Sequence, residues 1–129
     1  MFGKKEELIK YENLLNEFQK IEDKIPYFMQ ELDSITVIDD NDRFEKRTAT
    51  TLLCLAIEPE LRRAFKKAKN QYSALRRPFG GLLLTLYREY EKEDLIDLQN
   101  TLEWCKKGLE KFVEKYLARH RQQLQLPLL

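Results

Sequence analysis

The feature that most constrains the fold is an apolar seam near the C-terminus, in which side chains recur at alternating intervals of three and four residues. The seam comprises Leu95, Leu98, Leu102, Cys105, Leu109, Phe112 and Tyr116. This is the a/d spacing of a helix that packs along one stripe. It predicts a helix from Asp94 to about Arg121, roughly 40 Å long at 1.5 Å per residue. Other helices of the same chain, which we favour, or a second copy in a coiled coil would cover the stripe.

Helical spacing also dominates the N-terminal third of the chain. Pro26 lies inside the first predicted helix, and we expect a kink or break near Lys24–Pro26 because proline removes a backbone donor. The segment 34–41 is predicted to be a loop that tucks three apolar side chains against the core: Ile35, Val37 and Ile38. A second helix is predicted to begin at Asp42, because Asp42 and Glu45 resemble a capping box.

The predicted inward faces of the middle helices follow from the same spacing. The second helix is expected to bury Phe44, Thr48, Leu52, Leu55 and Ala56. Pro59 fits the first position of a third helix, where its missing N–H costs nothing. The core stripe of that helix comprises Leu61, Ala64, Phe65, Ala68, Tyr72 and Leu75. After a break at Pro78, Gly80 and Gly81, a fourth helix from about Leu82 to Lys92 is expected to bury Leu83, Leu86, Tyr87 and Tyr90.

The fold is therefore predicted to be all-α: one bundle of four to five main helices over residues 1–123, followed by a short apolar tail, 124–129. The hydrophobic fraction of 43% supplies a core for one domain of 129 residues. Only 4 Gly and 4 Pro occur, which argues against sandwiches, barrels and glycine-rich nucleotide folds.

The residues that most enzymes and metal sites require are missing. The chain has one histidine, His120, and Leu117 stands where a Glu-x-x-His motif needs glutamate. Neither GxxxxGK[ST] nor GxGxxG occurs. Cys54 and Cys105 lack the spacing of a metal-ligand pair, and we interpret both as small core residues. We predict a non-enzymatic protein without a cofactor or metal.

Positive charge is concentrated in the third helix. Residues 1–60 carry 8 basic and 14 acidic residues, whereas residues 61–80 carry seven basic residues and no acid. These seven are the candidate anion or partner surface: Arg62, Arg63, Lys66, Lys67, Lys69, Arg76 and Arg77. Arg62, Lys66, Lys69 and Arg76 lie within about 80° on a helical wheel, so they could meet successive phosphates. The alternative is neutralisation by the acids of residues 1–60.

Two features are candidate protein contacts. Trp104 lies about 180° from Leu95 on the helical wheel, off the seam, where another helix or a partner would cover it. The leucine-rich tail, with Leu126 and Leu128, is either a short linear ligand or a cover for the end of the bundle. We predict an interaction, adaptor or assembly subunit that forms a homo- or hetero-oligomer. The alternative is a nucleic-acid-binding accessory protein that uses the basic helix 61–77.

The expected compartment is the cytoplasm. The start of the chain lacks the apolar run of a signal peptide. No transmembrane segment is predicted, because the longest strongly apolar stretch, near Leu82–Leu86, is far too short to span a bilayer. Two isolated cysteines suit a reducing compartment.

Overall fold

The computed structural model describes residues 2–79, 82, 86 and 95–117, and every regular element within them is helical. The elements are α1 (Phe2–Asp33), α2 (Asp40–Thr51), a first π segment (Leu52–Ile57), α3 (Glu58–Arg76), α4 (Leu95–Phe112) and a second π segment (Val113–Leu117). The described residues contain no strand. The prediction of an all-α fold is confirmed.

The core lies between α1, α3 and α4, which pack against one another. The rings of Phe18 and Phe65 stack with their centroids 5.7 Å apart, and Tyr11 bonds to Gln71, so α1 and α3 run antiparallel. Phe28 meets Phe112 edge-on at 5.6 Å and Glu17 pairs with Lys106, so α1 and α4 run parallel. These aromatic contacts bury large apolar surfaces and stabilise the arrangement of the three helices.

Of the predicted kink or break at Pro26, the break is wrong, because α1 continues through Pro26 to Asp33. A kink there stays a prediction. Pro26 is exposed, whereas Ile25 and Phe28 on the other side of the helix are buried. An internal proline costs about 3 kcal/mol. Burial of one large apolar side chain contributes about 1.5–3 kcal/mol, so the packed face on both sides of Pro26 outweighs the lost hydrogen bond.

The second helix begins at Asp40, two residues before the predicted start. Asp39 is the N-cap: it has extended dihedral angles and its carboxylate accepts a bond from the Asp42 backbone N–H at 2.8 Å. The Asp42 carboxylate in turn accepts from the Ile38 N–H at 3.2 Å. Asp42 therefore supports the cap from the third helical position, and the predicted pairing of Asp42 with Glu45 is wrong.

The loop before α2 covers the core less than expected. Ile35 is half-buried and packs against the core, as predicted. Val37 and Ile38 are exposed, contrary to the prediction. The Ile38 backbone N–H donates to the Asp42 carboxylate beside the N-cap of α2, and the Ile38 side chain lies outside the core.

The chain stays helical from Asp40 to Arg76, so Pro59 does not open a separate helix. Thr51, Leu52, Ile57 and Glu58 all have right-handed helical dihedral angles. The Glu58 N–H bonds to the Leu53 carbonyl, five residues back. This wider turn lies directly before Pro59, which has no N–H to contribute.

The π turn changes which residues of this long helix face the core. The buried positions recur at intervals of four: Ala49, Leu53, Ile57 and Leu61. Of the predicted face, Phe44 and Leu55 are exposed, and three members are only half-buried: Thr48, Leu52 and Ala56. For Leu55 the prediction is wrong because it assumed 3.6 residues per turn, and a π turn holds more. Phe44 lies before the π segment, so the wider turn does not account for its exposure.

The predicted core stripe of α3 is confirmed. Leu61, Ala64, Phe65, Ala68 and Leu75 are buried, and Tyr72 is half-buried. One further residue of this face, Gln71, is also buried and was not part of the predicted stripe.

The seam of α4 is buried in this chain from Leu95 to Phe112. This burial favours the interpretation of the seam as core over a coiled coil with a second copy. The next buried residue is Leu117, whereas the predicted Tyr116 is half-buried. The second π segment shifts the phase by one residue between Phe112 and Leu117.

Several predictions lie outside the described residues. They concern Gly80, Gly81, most of the predicted helix 82–92, and the continuation of the last helix to Arg121. The tail with Leu126 and Leu128 also lies outside. Two residues of the predicted fourth helix are described, Leu82 and Leu86; both are helical and exposed. Leu86 was predicted to face inward and is instead 54% exposed.

Candidate functional site

Trp104 lies on the surface of α4 beside the first π segment and is 48% exposed. It lines an open pocket of about 330 Å³. The other lining residues are Ala56, Glu60, Asn100 and Thr101. The indole therefore lies at the edge of an open pocket between α4 and the helix that contains Ala56.

The close approach of α4 to the first π segment positions Trp104. Gly108 lies one turn after Trp104, and a Cβ atom there would be 3.0 Å from Cδ1 of Ile57. Only glycine gives this spacing without displacing the buried Ile57 side chain. The two helical stretches can then approach closely enough for Ala56 and Trp104 to share one pocket.

Apolar side chains continue beyond this pocket. Leu55, next to Ala56, is 74% exposed, and Pro59 is exposed one turn later. We define the Trp104 face as Leu55, Ala56, Pro59 and Trp104. Sequence analysis identified Trp104 as a candidate contact but assigned Leu55 to the core, and only the π register reveals it as surface.

The rim of the Trp104 face carries charges that neutralise each other. Glu60 accepts a bond from Nε of Arg63 at 3.1 Å. An apolar centre with a paired polar rim is the usual composition of a protein contact surface.

The seven cations of α3 divide into two groups. Arg62 pairs with Glu58 and Arg63 pairs with Glu60, both on the same helix, and Lys67 is half-buried. The remaining four are exposed and enter no ion pair within the described part of the chain: Lys66, Lys69, Arg76 and Arg77. Internal neutralisation thus affects the beginning of α3 and not its second half.

Two of these four cations rest on aromatic rings. Lys69 Nζ lies 3.9 Å from the centroid of the Phe65 ring, and Arg76 lies 5.5 Å from that of Tyr72. The Tyr72 hydroxyl donates to Glu12 of α1 at 2.9 Å, which raises the pKa of Tyr72. The rings hold the two cations at the helix surface.

The RRPFGG junction is described only in part. Arg77 ends α3 in an extended conformation, and Phe79 has a left-handed φ of 60°. The Leu82 N–H donates to the Phe79 carbonyl at 3.0 Å, which closes a turn.

A groove of about 430 Å³ separates α1 from α4. Lys106 of α4 pairs with Glu17 of α1 at 3.0 Å, and Lys20 pairs with the same carboxylate at 3.3 Å. The hydrogen bond from Lys106 lowers the pKa of Glu17, and the same bond raises the pKa of Lys106. These bonds hold α1 against α4. We assign no reaction to the groove.

The two cysteines are poor nucleophiles. Cys105 is fully buried, and loss of solvation raises its pKa to about 11. Cys54 is half-buried, and its pKa is also raised, first by burial and then by Glu58 and Asp33. Because the thiolate is the reactive form, the interpretation of both as packing residues is supported.

We expect alkylation of Cys105 in the folded protein to be much slower than that of Cys54. With its pKa raised to about 11, Cys105 has about a hundredfold less thiolate below pH 9 than an unperturbed thiol has. Burial of Cys105 also blocks access of the reagent. Mass spectrometry after timed iodoacetamide treatment at pH 8 would measure both rates. Equal labelling of the two cysteines would contradict the buried position of Cys105.

The same pKa predicts a loss of stability at high pH. The folded state keeps the Cys105 proton up to about pH 11, whereas the unfolded thiol loses it near pH 8.5. The free energy of unfolding should therefore decrease across this interval, because the unfolded state binds fewer protons there. Cys105→Ala should show a smaller decrease than the wild type in urea titrations at pH 8 and pH 10.5.

Within residues 5–79 and 95–117, no group of three His, Cys, Asp or Glu side chains is arranged to hold a metal ion. None of the helices in the described ranges combines the length and the apolar character that crossing a membrane requires. Comparisons with models of protein families, with curated proteins and with solved structures gave no match.

Proposed function

We propose that this chain is a small non-enzymatic interaction protein, an adaptor or assembly subunit, which binds another protein chain through the Trp104 face. The observation that carries the proposal is the half-exposed Trp104 beside an open apolar pocket. Tryptophan is among the residues that contribute most to protein contacts. Here the pocket beside the ring offers a cavity of about 330 Å³ that an apolar side chain of a partner could fill.

The partner is either a second copy or a different chain, so the assembly is a homo- or hetero-oligomer. Because the α4 seam is buried, we assign the partner contact to the Trp104 face and not to the seam. We retain in this proposal the expected bundle of four to five helices, with the last one continuing to about Arg121. The tail with Leu126 and Leu128 is retained as a second protein contact, and the cytoplasm as the compartment.

Trp104 is the single tryptophan of the chain, so its fluorescence reports on this face. If the partner is a second copy, we expect the emission to shift to shorter wavelength as the concentration rises through the micromolar range. Sedimentation measured in parallel should show the dimer. Leu55→Ser should weaken association at least tenfold, whereas Ile9→Ser, an equally apolar exposed change on α1, should leave it unchanged.

If the partner is a different chain, it should co-purify with the native protein. Trp104→Ala should then weaken the complex about 30-fold, which corresponds to the ~2 kcal/mol of a strong contact residue. The proposal fails if the protein is a monomer at all concentrations and the co-purifying chain is retained by both Trp104→Ala and Leu55→Ser.

A further inference from the structure

The second half of α3 presents a continuous positive surface. Lys66, Lys69 and Arg76 share the outward side of the helix, within about 80° on a helical wheel, and Arg77 follows directly as the C-cap residue. Asn70 and Ser73, also exposed, lie between them and add neutral hydrogen-bond donors. We define these residues as the free basic face. From Lys66 to Arg77 it extends about 16 Å along the helix axis.

Along α3 no carboxylate interrupts this face, because residues 61–79 contain no acid. The described acids at the start of α2 lie far from it. Because the chain is helical without interruption from Asp40 to Arg76, Asp42 is about 36 Å from Lys66 along the helix. Salt at physiological concentration screens exposed charges beyond about 8 Å. The near-zero net charge of the protein therefore does not cancel the local positive field.

Part of the face is also held in place. The ring contacts of Lys69 and Arg76 keep both cations near the helix surface. The Tyr72 ring beneath Arg76 is itself fixed by its bond to Glu12. Lys66 and Arg77 form neither a ring contact nor an ion pair among the described residues.

We propose that the free basic face binds the phosphate backbone of double-stranded nucleic acid, without reading its sequence. Both aromatic residues of α3, Phe65 and Tyr72, lie beneath cations and are not available for stacking on unpaired bases, the interaction that single-strand binders use. A straight row of cations suits the regular phosphates of a duplex. Phosphates are the same at every base pair, so binding is independent of sequence. This surface is on α3 and is separate from the Trp104 face.

The test is a salt titration of binding to a random-sequence DNA duplex by the full chain. Four phosphate contacts give a slope of about −3.6 for log affinity against log salt. Affinity should therefore fall about 150-fold between 50 and 200 mM salt. In Lys66→Gln/Arg77→Gln the slope should be about −1.8, and the fall over the same interval about 12-fold.

Lys107→Gln/Lys111→Gln is the matched control, because it removes two exposed cations from α4 and lowers the net charge equally. It should keep the wild-type slope, as should Trp104→Ala. Circular dichroism should show all variants folded.

Four results would each overturn the proposal: no duplex binding at 50 mM salt, an equal loss in the lysine control, stronger binding to single strands, or binding to anionic lipid vesicles that the duplex does not displace. Loss of the partner contact by Trp104→Ala with duplex binding intact would separate the two proposals.

Discussion

Leu102→Ala is expected to lower the free energy of unfolding by about 2–5 kcal/mol, and Leu109→Ala by a similar amount. Both leucines are buried in the seam of α4, where α4 packs against α1 and α3. The truncated side chain loses its transfer free energy and leaves a cavity that the three packed helices cannot fully close. Urea unfolding, monitored by circular dichroism, would measure the change.

Ile96→Ala is the matched control on the same helix. Ile96 is 64% exposed on the opposite side of α4, so its truncation should change the free energy of unfolding by no more than about 0.5 kcal/mol. If Leu102→Ala and Leu109→Ala both leave the urea midpoint unchanged, the seam is not part of the core. The coiled-coil interpretation with a second copy would then account for the seam.

Gln71→Leu is expected to destabilise the protein by about 1–3 kcal/mol, although leucine is more hydrophobic than glutamine. Gln71 is completely buried, and its Oε1 accepts a bond from the Tyr11 hydroxyl at 2.5 Å. Leucine would leave that hydroxyl without this acceptor inside the core. A buried polar group that loses its partner costs more than the bond contributes.

A double-mutant cycle distinguishes the hydrogen bond from a simple packing effect. Tyr11→Phe removes the hydroxyl, so Gln71→Leu in that background should cost less than it does in the wild type. We expect a coupling free energy of at least about 0.5 kcal/mol between the two positions. Additive effects of the two substitutions would show that the contact between α1 and α3 does not depend on this bond.

The faces of α3 and α4 could be predicted from the sequence because both follow the ordinary helical period. Leu61, Ala64 and Phe65 recur on one side of α3, and the cations occupy the other. For α4, the seam from Leu95 to Phe112 is long enough that a single phase explains every position. In both helices the local pattern and the tertiary packing agree.

The pattern failed where the backbone departs from that period. The π segments wind more residues into a turn, so the wheel assigned Leu55 to the core and Tyr116 to the seam. A π turn depends on which partner helix the side chains meet, and no residue type in the stretch Leu52–Ile57 signals it. The continuity of α1 through Pro26 has the same origin, because the packed face compensates for a local cost.

The candidate surfaces show the same division. Sequence analysis identified Trp104 and the seven cations of α3 from their positions on helical wheels. It did not show that Trp104 and Ala56 line one pocket, or that Arg62 and Arg63 are neutralised while Lys66 and Arg77 are not. The first depends on the approach of Gly108 to Ile57, and the second on side-chain distances to Glu58 and Glu60.

By itself the sequence determined that this chain is helical and which sides of α3 and α4 are apolar. Both properties follow from the spacing of apolar residues along a continuous segment of the chain. Only the tertiary structure decided that the chain remains helical from Asp40 to Arg76, that Gln71 lies in the core and that Leu55 lies outside it. These outcomes depend on contacts between residues distant in sequence. The buried glutamine bonds to Tyr11, 60 positions away, and no local pattern contains that information.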